Sequence, residues 1–349
     1  MNSRIKSAIL YAVLAAVCYG VSSPISKILL AEIPPAFMAS LLYLGAGFGI
    51  SVIIVSRSIK HKEQNEAKMT KKELPYILGM ITLDIAAPIL LMLGLTMTTP
   101  ANASLLNNFE IVSTSLIALL VFKEAIGKRM WIAISLITIS SIILSFEDIS
   151  SFSFSLGSIF VVAACLCWGL ENNCTRTLSL KDPLQIVMVK GLGSGSGALI
   201  IALITRELSL NIFYIVLALA LGFFAYGLSI YFYILAQREL GAARTSAYYA
   251  IAPFIGVGLS LVVYNQPITI SFAAAFAIMI LGSYFAAVEH HVHQHTHEVA
   301  EHEHRHSHTD GHHNHTHDFS VKEHSHAHRH EAFTHAHSHT PDTHHAHVH

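Results

Sequence analysis

Residues 18–27 read CYGVSSPISK, and residues 167–176 read CWGLENNCTR. Each decapeptide opens on Cys-aromatic-Gly, ends on a basic residue and lies within a long apolar run. Pro34 follows the first at the offset at which Pro183 follows the second. A second correspondence lies downstream: ANAS at Ala101–Ser104 aligns with ARTS at Ala243–Ser246, and each opens another apolar run. The chain therefore repeats itself once.

Working outward from these motifs, apolar runs recur at roughly 7–30, 36–56, 74–97, 101–122, 129–146, 155–176, 184–205, 212–236, 243–264 and 267–288. About 20 apolar residues cross the hydrocarbon core as a helix. Charged residues make up only 12% of the chain, against roughly 25% in a soluble domain. The first run is longer than a signal-peptide core of about 7–15 residues and further runs follow it, so it reads as a membrane span. The cysteines, Cys18, Cys165, Cys167 and Cys174, all fall in apolar segments, where neither a disulfide framework nor a zinc knuckle is indicated.

The expected fold is an all-α polytopic membrane protein. Ten transmembrane helices form two inverted five-helix repeats, residues 1–148 and 149–288, and residues 289–349 form a tail. Five is odd, so the second repeat enters the bilayer upside down. That is the plan of many secondary transporters, with a substrate site near the midplane between the halves. If the N-terminus is cytoplasmic, the inner loops and N-terminus hold fifteen Lys and Arg and the outer loops hold Arg206 alone. The positive-inside rule then predicts a multi-pass protein of the cell (inner) membrane with the N-terminus and tail cytoplasmic.

A charged side chain at the bilayer centre costs roughly 2.5–3.5 kcal/mol on insertion scales, so each one needs a partner or a function. Asn107, Glu110 and Thr114 share one face of the fourth span, with Asn108 beside them. This stripe reads as a wall that binds substrate or a proton, or as an interhelical hydrogen-bond cluster. Asp84 lies mid-depth in the third span, four residues before Pro88. Glu171, Asn172, Asn173 and Arg176 cluster in the inner half of the sixth span. Lys190 of the seventh sits at a comparable depth, which suggests a Glu171–Lys190 pair with either a structural or a substrate role. Lys27 reads as a side chain that snorkels to the interface. Gly191, Gly193, Gly195 and Gly197 suit close helix approach. They lack the strand–loop–helix setting of a phosphate site. Tyr249 and other tyrosines of the eighth and ninth spans are candidate lining residues.

Twenty-four of the 25 histidines lie beyond residue 288. They recur mostly as His-x-His: His293, His295 and His297; His302, His304, His306 and His308; His312, His313, His315 and His317; His324, His326, His328 and His330; His335, His337 and His339. Apolar residues are too sparse to build a core, so the tail is expected to be disordered. Neutral imidazole suits Zn, Ni and Co, giving interchangeable metal sites rather than one fixed geometry. Sensing of pH is a second reading.

Four stretches resemble the EamA branch of the drug/metabolite transporter superfamily: LLYLGAGFG at Leu41–Gly49, ASLLNNFEIVSTSLIALLVFKE at Ala103–Glu124, CWGLENNCTR, and LGAARTSAYYAIAPFIG at Leu240–Gly256. The resemblance spans residues 8–288, and the tail is similar to His-rich endings in that group. It implies carrier-mediated movement, often export, of a small metabolite such as an amino acid or related compound, without fixing the solute. One departure is that Glu124 aligns with Gln266, so that carboxylate is not duplicated. The alternative reading is a divalent-metal (Zn, Ni or Co) transporter or a membrane-tethered metal buffer. No hydrolase, kinase, catalytic-zinc or ATP-binding motif is present. No obligatory cofactor and no nucleic-acid partner are expected. The expected partners are the lipid bilayer, a small-molecule substrate and transition-metal ions, and a homodimer is compatible with the pattern.

Overall fold

The computed structural model describes residues 3–59, 69–122, 126–148, 153–178, 181–240, 245 and 248–287, together with 291–296, 300–307, 323–330 and 334–339 of the tail. Nine helices among the described residues are long and apolar enough to cross a membrane: Ile5–Leu29, Pro35–Ile59, Lys71–Met97, Pro100–Val121, Lys128–Ser145, Leu156–Thr175, Pro183–Ile204, Ile212–Ala236 and Ile270–Ala287. The remaining expected span is the shorter apolar helix Ala252–Tyr264. Most of its expected first turns, residues 243–247, lie outside the described residues. The protein is thus an all-helical, multi-pass bundle whose spans fall within a few residues of their sequence-based positions, apart from the start of the ninth.

Proline opens many of the spans. Pro35, Pro75, Pro100 and Pro183 sit in first turns, where the missing N–H costs nothing. Thr99 accepts from the Asn102 amide at 3.2 Å and Asp182 from the Leu184 amide at 2.9 Å, satisfying N-terminal donors that would otherwise be orphaned. Pro88 lies inside an unbroken third helix, Leu74–Met97. The first span, by contrast, is broken at Val21 into Ser3–Gly20 and Ser22–Leu29. Pro24 lies just past this break and cannot donate to the carbonyl four residues back.

The packing of the spans repeats when the halves are exchanged. The third span packs on the sixth as the eighth does on the first. The second packs on the eighth as the seventh does on the third, and the fourth on the sixth as the ninth on the first. The second with the seventh, and the fifth with the tenth, pair across the axis of exchange. Glycines permit two of these contacts at equivalent places. A Cβ on Gly20 would fall 2.6 Å from the Ala252 carbonyl oxygen, and one on Gly169 would fall 2.5 Å from Ser113 Cβ. In the seventh span, Gly191 and Gly195 lie against the second span, while Gly193 and Gly197 lie against Ile81 and Ile85 of the third. The small-residue stripe thus brings three spans close together.

A short hairpin, Phe146–Asp148 with Ser153–Phe154, joins the two halves. In the tail, the described stretches are extended. His291–Thr296 pairs with Thr334–His339 and Ala300–Ser307 with Glu323–His330, both antiparallel. The His-x-His alternation of these stretches has the period of a strand.

Candidate functional site

The fourth span is interrupted near mid-membrane. Pro100–Leu106 ends and Phe109–Phe122 begins across a turn at Asn107–Asn108. Bonds of three-residue spacing bridge the turn: Asn108 N–H to Leu105 O at 3.2 Å, Glu110 N–H to Asn107 O at 3.1 Å and Ile111 N–H to Asn108 O at 3.0 Å. The Asn108 side chain supports the break, since its amide donates to Leu105 O at 3.3 Å and its oxygen accepts from Ser283 Oγ at 3.3 Å. The ninth span turns at Ala250–Ile251 before Ala252–Tyr264. By the ANAS–ARTS alignment, this lies within one residue of the position equivalent to Asn107–Asn108. The eighth span carries one π-helical turn, Phe223–Leu228, a feature often found at functional sites. Interrupted spans in corresponding positions of two inverted repeats are a physical pointer to a binding site.

Glu110 sits in the first turn of the second part of the fourth span, Phe109–Phe122. It accepts from Asn172 Nδ2 at 2.6 Å, and the same amide donates to Thr114 Oγ1 at 3.1 Å. Asn173 is buried and donates to Thr114 O at 3.3 Å and Gly169 O at 2.8 Å. The polar stripe of the fourth span therefore meets the asparagines of the sixth, joining one half to the other. Glu110 is only partly buried. Asn107 is buried, and its side-chain oxygen receives no hydrogen bond from the described residues.

A second cluster is sealed. Lys190 Nζ lies 3.0 Å from Asp84 Oδ2 and 3.0 Å from Glu171 Oε1. Tyr43 OH donates to Asp84 Oδ1 at 2.9 Å, and Thr175 donates to Glu171 Oε1. Asp84 is 0% exposed, Glu171 1% and Lys190 7%. The Glu171–Lys190 pair expected from depth is present, and Asp84 joins it from the other half. This group of one cation and two carboxylates ties the third, sixth and seventh spans together.

Tyrosines lie between the two clusters. Tyr226, on the π-helical turn, stands 5.2 Å from Tyr43 and 5.9 Å from Tyr19 between ring centroids, and Ser22 Oγ donates to its hydroxyl at 3.4 Å. Tyr249 stands 6.0 Å from Tyr19 and 5.0 Å from Tyr233. Tyr19, Tyr226 and Tyr249 all lie within electrostatic range of Glu110. Tyr19 and Tyr43 were not singled out from the sequence. Each is an aromatic in a stretch otherwise rich in small residues, and that was the available signal.

Other expectations resolve differently. Lys27 does not simply reach water. Its ammonium donates to the carbonyls of Leu95, Thr96 and Thr98 at the C-terminal end of the third span, where a cation meets the negative end of a helix. Arg176 lies on the sixth helix, and its side chain is outside the described residues, as are the tail histidine side chains and the metal site expected of them. His297, His308, His312, His313, His315 and His317 lie outside the described residues altogether.

A bundle of apolar spans with a polar, interrupted centre defines a polytopic helical membrane protein. The EamA-like transporter family matches this chain twice, over residues 6–146 and 155–288, and the chain belongs to that family. An uncharacterized transporter of Methanothermobacter thermautotrophicus is 26% identical over 284 residues, covering 77% of this chain and 82% of the relative. The uncharacterized transporter YyaM of Bacillus subtilis is 24% identical over 250 residues, covering 68% and 79%. A crystal structure superposes with a TM-score of 0.59 at 15% identity, covering 80% of this chain and 95% of the other, which shows a shared fold. The protein is a membrane transporter that works in a lipid bilayer on small molecules.

Proposed function

We propose that the protein is a secondary transporter of the cell (inner) membrane that exports a small metabolite such as an amino acid or related compound. Its N-terminus and tail are cytoplasmic in this reading. Residues 1–148 and 149–288 act as the two moving halves, and residues 289–349 are a regulatory binder of Zn, Ni or Co. The observation that supports the carrier reading is the pair of interruptions at Asn107–Asn108 and Ala250–Ile251, with the half-buried Glu110 beside them.

The sealed triad suits a different task. Asp84 belongs to the first half and Glu171 and Lys190 to the second, so the triad closes the interface between halves beneath the substrate site. Further contacts between halves lie near the inner ends of the spans. Lys181 pairs with Glu73 at 3.5 Å, Gln185 accepts from the Met69 amide at 3.0 Å, and Arg57 donates to Tyr231 OH at 2.5 Å. On the opposite side, Glu207 accepts from the Ala36 amide at 3.2 Å.

The test is solute counterflow in proteoliposomes with wild type and Glu110→Gln. The variant is expected to insert normally and to lose most of its flux. Wild-type flux in Glu110→Gln refutes the assignment of Glu110 to the site.

A further inference from the structure

Among the described side chains, which do not include that of Arg176, the charges around the interrupted fourth span do not balance. Glu110, Asp84 and Glu171 face one lysine, and Lys190 is already held at 3.0 Å by both Asp84 and Glu171. Lys27 is committed to three carbonyls at the end of the third span. Among the described residues no cation lies within ion-pair distance of Glu110. Its hydrogen-bonding partner is a neutral amide, Asn172 Nδ2.

The unspent hydrogen-bonding capacity is of one kind. A carboxylate has about four lone-pair sites, and among the described residues one amide donor serves Glu110. The Asn107 side-chain oxygen, one turn earlier on the same face, is buried without a donor among the described residues. Both groups call for donors. Three tyrosines adjoin one another, Tyr19 standing 5.9 Å from Tyr226 and 6.0 Å from Tyr249 between ring centroids, all three feel the Glu110 charge, and aromatic faces attract cations. A primary ammonium brings three donors, no acceptor and one positive charge.

We propose that the cluster of Glu110, Asn107, Tyr19, Tyr226 and Tyr249 binds the ammonium end of an organic amine, so that the transported solute is a cation. This takes its location from the carrier reading and narrows the solute. The narrowing rests on where the cations are. An amino acid also presents an α-carboxylate, which needs a positive partner. Among the described side chains, Lys190 and Lys27 are both engaged elsewhere, and an anionic solute would meet Glu110 with no free cation beside it. A simple amine satisfies the site without a second charged contact.

Three isosteres with one apolar body separate these cases: phenethylamine (cation), phenylalanine (zwitterion) and 3-phenylpropionate (anion). Putrescine and methylamine serve as further cations. Binding is measured by isothermal titration on the purified full-length protein at pH 7.5. The expected result is binding of at least one amine, at least about tenfold tighter than 3-phenylpropionate. Glu110→Gln should weaken the amine about tenfold or more, the scale of a lost charge-assisted bond, and Glu110→Asp should retain part of the affinity.

The charge series on the wild type needs no variant, so it stands if Glu110→Gln misfolds. Binding by none of the amines, tighter binding of phenylalanine or 3-phenylpropionate, or amine affinity unchanged in Glu110→Gln overturns the proposal. Flux of phenylalanine without amine binding overturns it while leaving the carrier reading intact. Amine binding with no flux in proteoliposomes supports the site and defeats the carrier reading.

Discussion

Replacing Lys190 by Met should destabilise the bundle more than any exposed charge change, because one ammonium serves two buried carboxylates. Asp84 and Glu171 are 0% and 1% exposed, so water cannot take the place of the lost cation. Removing one member of a buried ion pair costs about 3–5 kcal/mol, since the other charge is left uncompensated. Here two charges lose their partner, but each keeps one neutral donor: Tyr43 for Asp84 and Thr175 for Glu171. The expected loss is therefore about 3–5 kcal/mol rather than twice that. Replacing all three charged groups, as Asp84→Asn, Glu171→Gln and Lys190→Met together, should recover at least half of it, because no charge remains stranded. Reversible unfolding in mixed detergent, followed by the fluorescence of buried Trp168, measures both variants. A Lys190→Met protein within about 1 kcal/mol of wild type, or a triple variant no better than the single one, would refute the argument.

Gly47→Leu should disrupt the meeting of the second and seventh spans, since even a Cβ there would lie 2.7 Å from the Leu192 nitrogen, whereas Gly258→Ala should be silent, with nothing within 4 Å. Gel filtration of the detergent-purified variants distinguishes the two. Lys27→Met should lower stability by about 1–2 kcal/mol through the lost helix-end contacts while leaving the solute preference unchanged, checked by melting and counterflow on the same preparation. Ending the chain after Glu289 should abolish Zn, Ni and Co binding and leave solute flux in place. Retained metal binding in that protein would sink the assignment of the tail.

The spans were legible because hydrophobic length is a local property, and nine of the ten sequence segments agree with helices to within about three residues at both ends. The repeat was legible in two short motifs. The interruption of the fourth span was not. Asn107 and Asn108 do not break a helix on their own, and the bond from Ser283 that helps to hold the turn comes from the tenth span. The Glu171–Lys190 pair could be read from depth on adjacent spans. Asp84 could not be added, because joining it required knowing that the third span packs on the sixth and seventh. For the same reason Tyr19 and Tyr43 were passed over. Their roles come from Tyr226, which lies on a π-helical turn of the eighth span that no residue pattern announces.

In a carrier whose two halves move against each other, the region beside the fourth-span interruption is reached from both sides of the membrane in turn. The direct measurement is labelling of Asn107→Cys, in a protein lacking Cys18, Cys165, Cys167 and Cys174, by an impermeant maleimide added to either face of oriented vesicles. Labelling from both faces, slowed by bound solute, is the expected result. Labelling from one face alone, or from neither, would contradict alternating access at this site.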